Sequence, residues 1–392
     1  MTQLRKVCAF TGSRADYSPM IPILECLHTD PGIDLVLLVS GGHLVPDQGT
    51  TVDEVREDGF TIADEIDVVL SGDHPAAMAK SLGLGVIGMS DALRRIRPDV
   101  LLVPGDRYEA LAVAVAALPQ DIVIAHLGGG QLTYGVVDER IRHAITKIAH
   151  LHFVLSTTDK GRLVRMGEDP AHVHVVNSAL LRGRVTGRTL DRAELAQQLG
   201  IPLDPPVFTI TYHPVTSDEN ESVKGLAAML DALDSHPDAT LVFTAPNVDR
   251  GGPQILAQIR NYVRRNRNRA LLVPSLGWRR YQSLLACSAV VIGNSSSGLV
   301  DAPVAGVPSV NIGSRQEGRD RAASVLDCLP EPAAISAAIT KARAAPRKAA
   351  PESGRSTYDD LSRSVAAPLK SAEFHVFQKK RFYESNPGGV DQ

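Results

Sequence analysis

Cysteine is scarce in this chain, with four residues in 392, at Cys8, Cys26, Cys287 and Cys328. They lie in apolar or helical contexts and lack the CxxC spacing of a zinc site or a disulfide framework. Reduced, buried thiols in a cytoplasmic protein are therefore expected. No apolar run approaches the roughly 18 residues of a membrane span. Leu4-Arg5-Lys6 leads directly into a strand-like segment, where a secretory leader would carry an apolar core. Charge of one sign is also missing: 41 Lys and Arg face 44 Asp and Glu, for a net −3. That balance leaves no basic footprint for nucleic acid and no surface suited to an anionic membrane. There is no GxxxxGK(S/T) phosphate loop. Gly83-Leu84-Gly85-Val86-Ile87-Gly88 has the GxGxxG form, but it interrupts a helical stretch beginning near Ala76 and follows no strand. A nicotinamide cofactor is not expected there. The pairs His150/His152 and His172/His174 have strand spacing and no convergent third ligand, so no metal is expected. No cofactor of any kind is indicated.

What the chain does have is an alternation of short apolar strands and helical stretches from end to end. Val7–Thr11, Asp34–Ser40, Val100–Pro104, Ile122–His126 and His152–Ser156 read as strands. Met20–His28, Ala76–Ile96 and Tyr108–Ala117 carry helical apolar spacing between them. The rhythm repeats with strands at Val207–Tyr212, Thr240–Ala245, Ala270–Pro274, Val290–Gly293 and Ser309–Ile312, and helices near 219–235, 253–266, 279–286 and 297–305. Such alternation implies an α/β fold with parallel sheets covered on both faces. A charged and then Pro-rich stretch, Arg182–Pro206, separates the halves. The expectation is two Rossmann-like domains facing a cleft, 1–185 and 186–358, followed by a C-terminal segment, 359–392, packing back on the first domain.

In doubly wound sheets ligands bind beyond the carboxyl ends of strands, so the loops there are the candidates for chemistry. Gly293-Asn294-Ser295-Ser296-Ser297-Gly298 follows one strand and opens a helix. Its backbone N–H groups, hydroxyls and helix dipole suit a diphosphate. Asp301, one turn on, is placed to take ribose hydroxyls. Thr11-Gly12-Ser13-Arg14-Ala15-Asp16-Tyr17 follows the first strand and offers a fixed charge for a phosphate or sugar. Gly105-Asp106-Arg107-Tyr108-Glu109 crowds opposite charges at a strand end, where Asp106 is a candidate acid or base. Gly128-Gly129-Gly130-Gln131 allows a ligand close to the backbone. Helical spacing then sets Asp138 and Arg142 one turn apart, with Glu139 and His143 beside them; a solvated helix face explains these pairs equally well. Tyr212-His213-Pro214 aims an imidazole at the cleft. Pro246-Asn247-Val248-Asp249 also follows a strand, as does Gly313–Arg319, whose Arg315 and Arg319 offer two guanidiniums for phosphate.

Taken in order, seven segments resemble the hydrolysing UDP-N-acetylglucosamine 2-epimerases of the sialic-acid pathway type. They are TGSRADYS (11–18), GDRYEA (105–110), DERIRHAITKIAHLHF (138–153), YHPVT (212–216), APNVD (245–249), GNSSSG (293–298) and NIGSRQEGR (311–319). The resemblance implies a GT-B-like fold with the nucleotide sugar between its two domains, and a homodimer. It implies elimination of UDP from a UDP-N-acetylhexosamine to a 2-acetamidoglycal, then hydration to the free C2-inverted sugar. By match, Asp106, Asp138 and His213 take catalytic positions. Arg14, Asp16, Arg107, Gln131, Arg142, His143, Asn247, Ser295, Ser296, Ser297, Gly298, Asp301, Arg315 and Arg319 take substrate-binding ones.

The match breaks at two positions. The enzymes resembled carry an acid or a His where this chain has Gly128, and an acid where it has Gln131, and neither residue can move a proton. The turn at 176–180 also lacks the family's glycine-proline. Two alternatives to epimerisation follow: plain hydrolysis of a nucleotide sugar bearing a modified sugar or another base, and transfer of the sugar to an acceptor.

Overall fold

The computed structural model describes residues 4–46, 50–70, 76–134, 136–176, 190–204, 206–215, 219–246, 251–319, 321–346, 356–371 and 380–384. Asn247 and the turn at 177–180 lie outside them. The first half contains β1 (Arg5–Thr11), α1 (Arg14–Thr29), β2 (Ile33–Ser40), α2 (Val52–Glu57), β3 (Ile62–Ile66), α3 (Ala76–Ile96) and β4 (Val100–Pro104). It continues with α4 (Tyr108–Ala117), β5 (Val123–Leu127), α5 (Val137–Ile148), β6 (Leu151–Val154), α6 (Thr157–Arg165) and β7 (Val173–Val175). The second half contains α7 (Arg192–Leu199), β8 (Val207–Thr211), α8 (Glu219–Asp234), β9 (Thr240–Thr244), α9 (Gly252–Arg265) and β10 (Ala270–Val273). After these come α10 (Gly277–Cys287), β11 (Val290–Gly293), α11 (Ser296–Val304), β12 (Ser309–Ile312), β13 (Val325–Cys328) and α12 (Pro332–Ala344).

The central strands are continuous apolar runs such as Val100-Leu101-Leu102-Val103 and Val290-Val291-Ile292, buried along their length. A strand apolar on both faces needs helices on both sides, and the parallel crossovers supply them. The first sheet has seven strands in the order β3-β2-β1-β4-β5-β6-β7, and the second has six in the order β10-β9-β8-β11-β12-β13. Every pairing is parallel. The strand order reverses between β1 and β4 in the first sheet and between β8 and β11 in the second. Those are the two places where adjacent crossovers leave on opposite faces and open a crevice.

Two glycine features have packing explanations. The GxGxxG segment lies inside α3, where a Cβ on Gly85 would sit 2.9 Å from Ala112 of α4 and one on Gly88 2.7 Å from Ile66 of β3. These glycines let the helix approach its neighbours. Gly293, at the end of β11, has φ +136°, and a Cβ there would lie 1.9 Å from the Thr211 carbonyl oxygen. Only glycine lets the two switch-point strands end this close together.

After α12 the chain returns to the first sheet. Helix α13 (Ser356–Leu361), a π turn (Ser362–Ala366) and α14 (Ala367–Ser371) bury Leu361, Val365, Ala366 and Leu369 in the cluster that holds Met20, Ile23, Leu24 and Leu27 of α1. Lys380 then pairs with buried Glu168 at 2.7 Å, and the Tyr383 N–H donates to the Gly167 carbonyl. Among the described residues no helix is long and apolar enough to cross a membrane.

Replacing Gly293 with Ala should cost on the order of 3 kcal/mol, since the added methyl forces β8 and β11 apart. Urea unfolding followed by circular dichroism measures this, and a loss under 0.5 kcal/mol would show that the strand ends separate freely.

Candidate active site

The β1 loop is built from beneath. Buried His43 reaches the Thr11 hydroxyl at 2.9 Å through Nε2 and the Thr51 hydroxyl at 2.7 Å through Nδ1. Burial pushes its pKa down to about 4, so it is a neutral brace at physiological pH. Ser13 starts α1, and its hydroxyl donates to the Asp16 carboxylate at 3.0 Å. Arg14 crosses the cleft and donates to the backbone carbonyls of Ala245 and Pro274.

The β4 loop is held by two neighbours. His126 Nε2–H donates to the Gly105 carbonyl at 2.8 Å, while its Nδ1 faces the Thr146 hydroxyl at 3.2 Å. Burial takes this imidazole down to about 3. The second hold is Arg142, whose side chain has no solvent exposure. It donates to the Asp106 carboxylate, to the Gln131 carbonyl at 2.9 Å, to Glu139 at 3.0 Å and to the Thr133 hydroxyl at 3.1 Å. Burial raises the Asp106 pKa, but Arg142, Arg319 and Arg107 outweigh it and hold the carboxyl below its ordinary range. Asp106 is thus a fixed anion. Arg107 lies back along α4 toward the fully buried Glu109, at 3.3 Å.

In the second half, Asn294 clasps the β8 loop. Its Oδ1 accepts from the His213 N–H at 2.7 Å and its Nδ2 donates to the His213 carbonyl at 2.8 Å. Arg315 and Gln316 both donate to the Asn294 carbonyl, at 3.2 and 2.9 Å, tying the loop after β12 to the same point. Burial first, then Arg315, Arg14 and Arg107, drive His213 well below its ordinary pKa, so the ring is neutral. Ser295 caps α11, accepting from the Ser297 N–H, and the Ser297 hydroxyl meets Tyr281.

These loops line two adjoining cavities. One, of about 180 Å³, is walled by Arg14, Ser275, Leu276, Trp278, Tyr281, Ser295, Ser296, Ser297, Asp301 and Arg319. The other, of about 210 Å³, is walled by Asp16, Asp106, Arg107, Gly128, Gln131, Thr133, Asp138 and Arg315, with Pro19, Met20, Leu127, Val136 and Leu155 as an apolar side. They share Ala15, Pro19, Gln131, His213, Ser295, Ser296 and Arg319. The structure therefore brings together Arg14, Asp16, Asp106, Arg107, Gln131, Asp138, His213, Ser295, Ser296, Ser297, Asp301, Arg315 and Arg319. Three expected positions lie outside both walls. Arg142 is buried beneath Asp106 and acts through it. His143 turns to Glu139 at 3.1 Å. Gly298 packs inside α11 near Ser309. Gly128 has φ +87° and nothing within 4 Å of its Cβ position, so it leaves open room in the wall. Sequence reading missed Trp278 and Tyr281, at the start of α10, because nothing near them forms a motif. It also missed the bracing roles of Asn294 and Gln316, although both lie inside segments it singled out.

The family model for UDP-N-acetylglucosamine 2-epimerase matches residues 25–365. The chain is 35% identical to the GDP/UDP-N,N'-diacetylbacillosamine 2-epimerase (hydrolyzing) of Campylobacter jejuni, over 82% of this chain and 84% of that one. It is 36% identical to the UDP-N,N'-diacetylbacillosamine 2-epimerase (hydrolyzing) of Legionella pneumophila, over 83% and 85%. The solved UDP-GlcNAc 2-epimerase of Neisseria meningitidis, bound to UDP-GlcNAc, superposes with a TM-score of 0.69 at 17% identity, covering 93% of this chain and 97% of that one. The chain belongs to the UDP-N-acetylglucosamine 2-epimerase family and has its GT-B-like α/β fold.

Substituting Arg142 with Met should destabilise the protein by about 3–5 kcal/mol at pH 7, because Asp106 and Glu139 lose a buried counter-charge. A carboxyl held low contributes stability above its unfolded pKa of about 3.9 and loses it as pH falls through the folded value. The gap between wild type and R142M should hold at pH 5 and narrow in stronger acid. A gap under 1 kcal/mol at pH 7, or one that widens in acid, would remove Arg142 from this role.

Proposed function

We propose that the chain, as a member of this family, catalyses hydrolysing 2-epimerisation of a UDP-N-acetylhexosamine. UDP leaves by elimination across C1 and C2, and water adds to give the free sugar with C2 inverted. One observation carries the reading: a carboxylate-walled cavity adjoins a serine-walled one, and Ser295, Ser296, His213 and Arg319 stand at their junction. That junction is where a diphosphate would lie with the sugar on one side and the nucleoside on the other.

The roles follow from charge and position. The α11 N-terminus, Ser295, Ser296, Arg315 and Arg319 hold the departing diphosphate. Burial lowers the Arg319 pKa only to about 10, so it stays charged at neutral pH. Trp278 and Tyr281 flank the base, and Asp301 takes the ribose. Asp138, in the first turn of α5, removes the C2 proton. Asp106, anionic by virtue of its arginines, stabilises positive charge developing at the anomeric carbon. The apolar side of the sugar cavity, with the room left at Gly128, favours a deoxygenated, acylated sugar such as N,N'-diacetylbacillosamine, the substrate named for the two relatives. The resemblance also supports a homodimer acting in the cytoplasm.

Proton NMR of the reaction with UDP-N,N'-diacetylbacillosamine or UDP-N-acetylglucosamine in deuterated water tests the reading. Free sugar inverted and deuterated at C2 is expected. Free sugar without C2 deuterium would mean plain hydrolysis, and release only after an acceptor is added would mean transfer. Two variants separate binding from chemistry. Arg319→Ala should weaken UDP binding about tenfold or more, read by the fluorescence of Trp278, the one tryptophan in the chain. Asp106→Asn should leave that binding within a few-fold while lowering turnover about 10²–10³-fold. Equal losses in both measurements for both variants would overturn the division of roles.

A further inference from the structure

Inversion at C2 needs two proton transfers on opposite faces of the sugar. One group takes the proton, and another returns it to the far side. The sugar cavity offers few groups for this second task. Gly128 and Gln131 stand in its wall and carry no ionisable group. Asp106 is clamped by Arg142 and faces Arg319 at 3.9 Å, which keeps its proton off. His213 is held neutral among three arginines. Among the described residues, Asp138 and Asp16 remain as the other carboxyls in the wall.

The sheet order decides how these two stand to one another. The strands run β1-β4-β5, so the loop carrying Asp106 lies between the loop carrying Asp16 and the one leading to Asp138. The two carboxyls therefore come from the connections on either side of the one that carries Asp106, and all three line the cavity. Asp16 stands within reach of the Gly105 backbone, its Oδ1 3.6 Å from that residue's Cβ position. Its partner in hydrogen bonding is the Ser13 hydroxyl; Arg107 acts on it through its charge, and among the described residues no guanidinium donates to it as Arg142 donates to Asp106.

We propose, resting on the hydrolysing 2-epimerisation read above, that Asp16 is the acid that returns a proton to C2. In the first half of the reaction the C2–H bond breaks and its proton passes to the Asp138 carboxylate, which later releases it to solvent. The electron pair of the broken bond forms the C1=C2 bond, and the C1–O bond breaks with its pair leaving on UDP. In the second half the Asp16 carboxyl proton bonds to C2, a water oxygen bonds to C1, and the proton released by that water restores the Asp16 carboxyl. No further reactant is required.

The surroundings suit a proton donor. Burial raises the Asp16 pKa most, against the opposing charge of Arg107; Glu109 and Asp106 add negative charge nearby, the Ser13 hydroxyl favours the anion, and the carboxyl is pushed up to about 7. From the second half, His213, Arg315 and Arg319 share the cavity wall. An acid near 7 is protonated in a usable fraction at neutral pH and gives its proton up readily.

The test compares wild type with Asp16→Asn and Ser13→Ala, using UDP-N,N'-diacetylbacillosamine and UDP-N-acetylglucosamine in deuterated water. Wild type should lose activity as pH rises through about 7. D16N should form free sugar about 10²-fold more slowly, lack that alkaline limb, and release UDP with the 2-acetamidoglycal accumulating. Asp16→Glu should recover part of the hydration. S13A removes a hydrogen bond to the charged form, so its alkaline limb should move to higher pH. UDP binding followed by Trp278 fluorescence verifies that each variant is folded, and S13A decides the matter if D16N is not. D16N hydrating the sugar at the wild-type rate with an unchanged profile would overturn the assignment. So would equal loss of UDP release and free sugar with no glycal. Wild type releasing no UDP from either compound would instead overturn the epimerase reading itself, and Asp16's role with it.

Discussion

The buried guanidinium of Arg142 is the constraint on which the carboxylate-lined side of the cleft depends. It joins the end of β4, through Asp106, to the loop before α5, through Gln131 and Thr133, and to α5 itself, through Glu139. Removing a charge of this size from water costs several kcal/mol, and only dense hydrogen bonding offsets it. The arrangement gains little stability over an apolar core. What it provides is position: an acid fixed at the carboxyl end of β4, held ionised. His126 adds a neutral brace on the adjacent Gly105 carbonyl, so the loop is gripped at two successive residues.

Around that anchor the topology divides the labour. Each sheet contributes the loops at its own strand reversal, after β1 and β4 on one side and after β8 and β11 on the other. The first pair carries carboxyls, and the second carries serines and a neutral imidazole. Contacts across the cleft keep the two in register. Arg14 reaches carbonyls of the second half, the Tyr134 N–H donates to the Glu317 carbonyl at 3.0 Å, Arg319 donates to the Thr133 hydroxyl at 3.0 Å, and Ser275 donates to Glu54 at 3.0 Å. Arg319 thus joins the two halves, carrying a cation from the loop after β12 to Thr133 and Asp106.

Much of this was legible in the sequence, for physical reasons. Val100–Pro104, Val290–Gly293 and Ser309–Ile312 are apolar runs bounded by glycine or proline, and the observed strands coincide with them. Ala76–Ile96 and Tyr108–Ala117 likewise show helical spacing over their observed lengths. β3 and β13 went unread as strands because they are sheet edges, where Ala-Asp-Glu and Leu-Asp interrupt the apolar pattern and tertiary pairing supplies what local propensity does not; the three-residue β7 edge showed only as the strand spacing of His172 and His174. The segments at strand ends were recognisable since polar residues seldom follow a buried strand without cause. Which side chains within them face the cleft was recognisable at His213 and the Ser295–Ser297 turn, and not along α5. Arg142 and His143 sit next to each other on α5, yet one is buried as a brace and the other turns to Glu139. Trp278 and Tyr281 come from a helix start that no local pattern distinguishes.

The claim at the centre of this account is that the diphosphate sits at the junction of the two cavities, with carboxyls on one side and the α10 aromatics on the other. A crystal structure of the protein with UDP bound addresses it directly. Phosphate oxygens are expected on the Ser295–Ser297 turn and on Arg315 or Arg319, with the uracil beside Trp278. A diphosphate resting elsewhere, or a uracil lying among Asp16, Asp106 and Asp138, would contradict it.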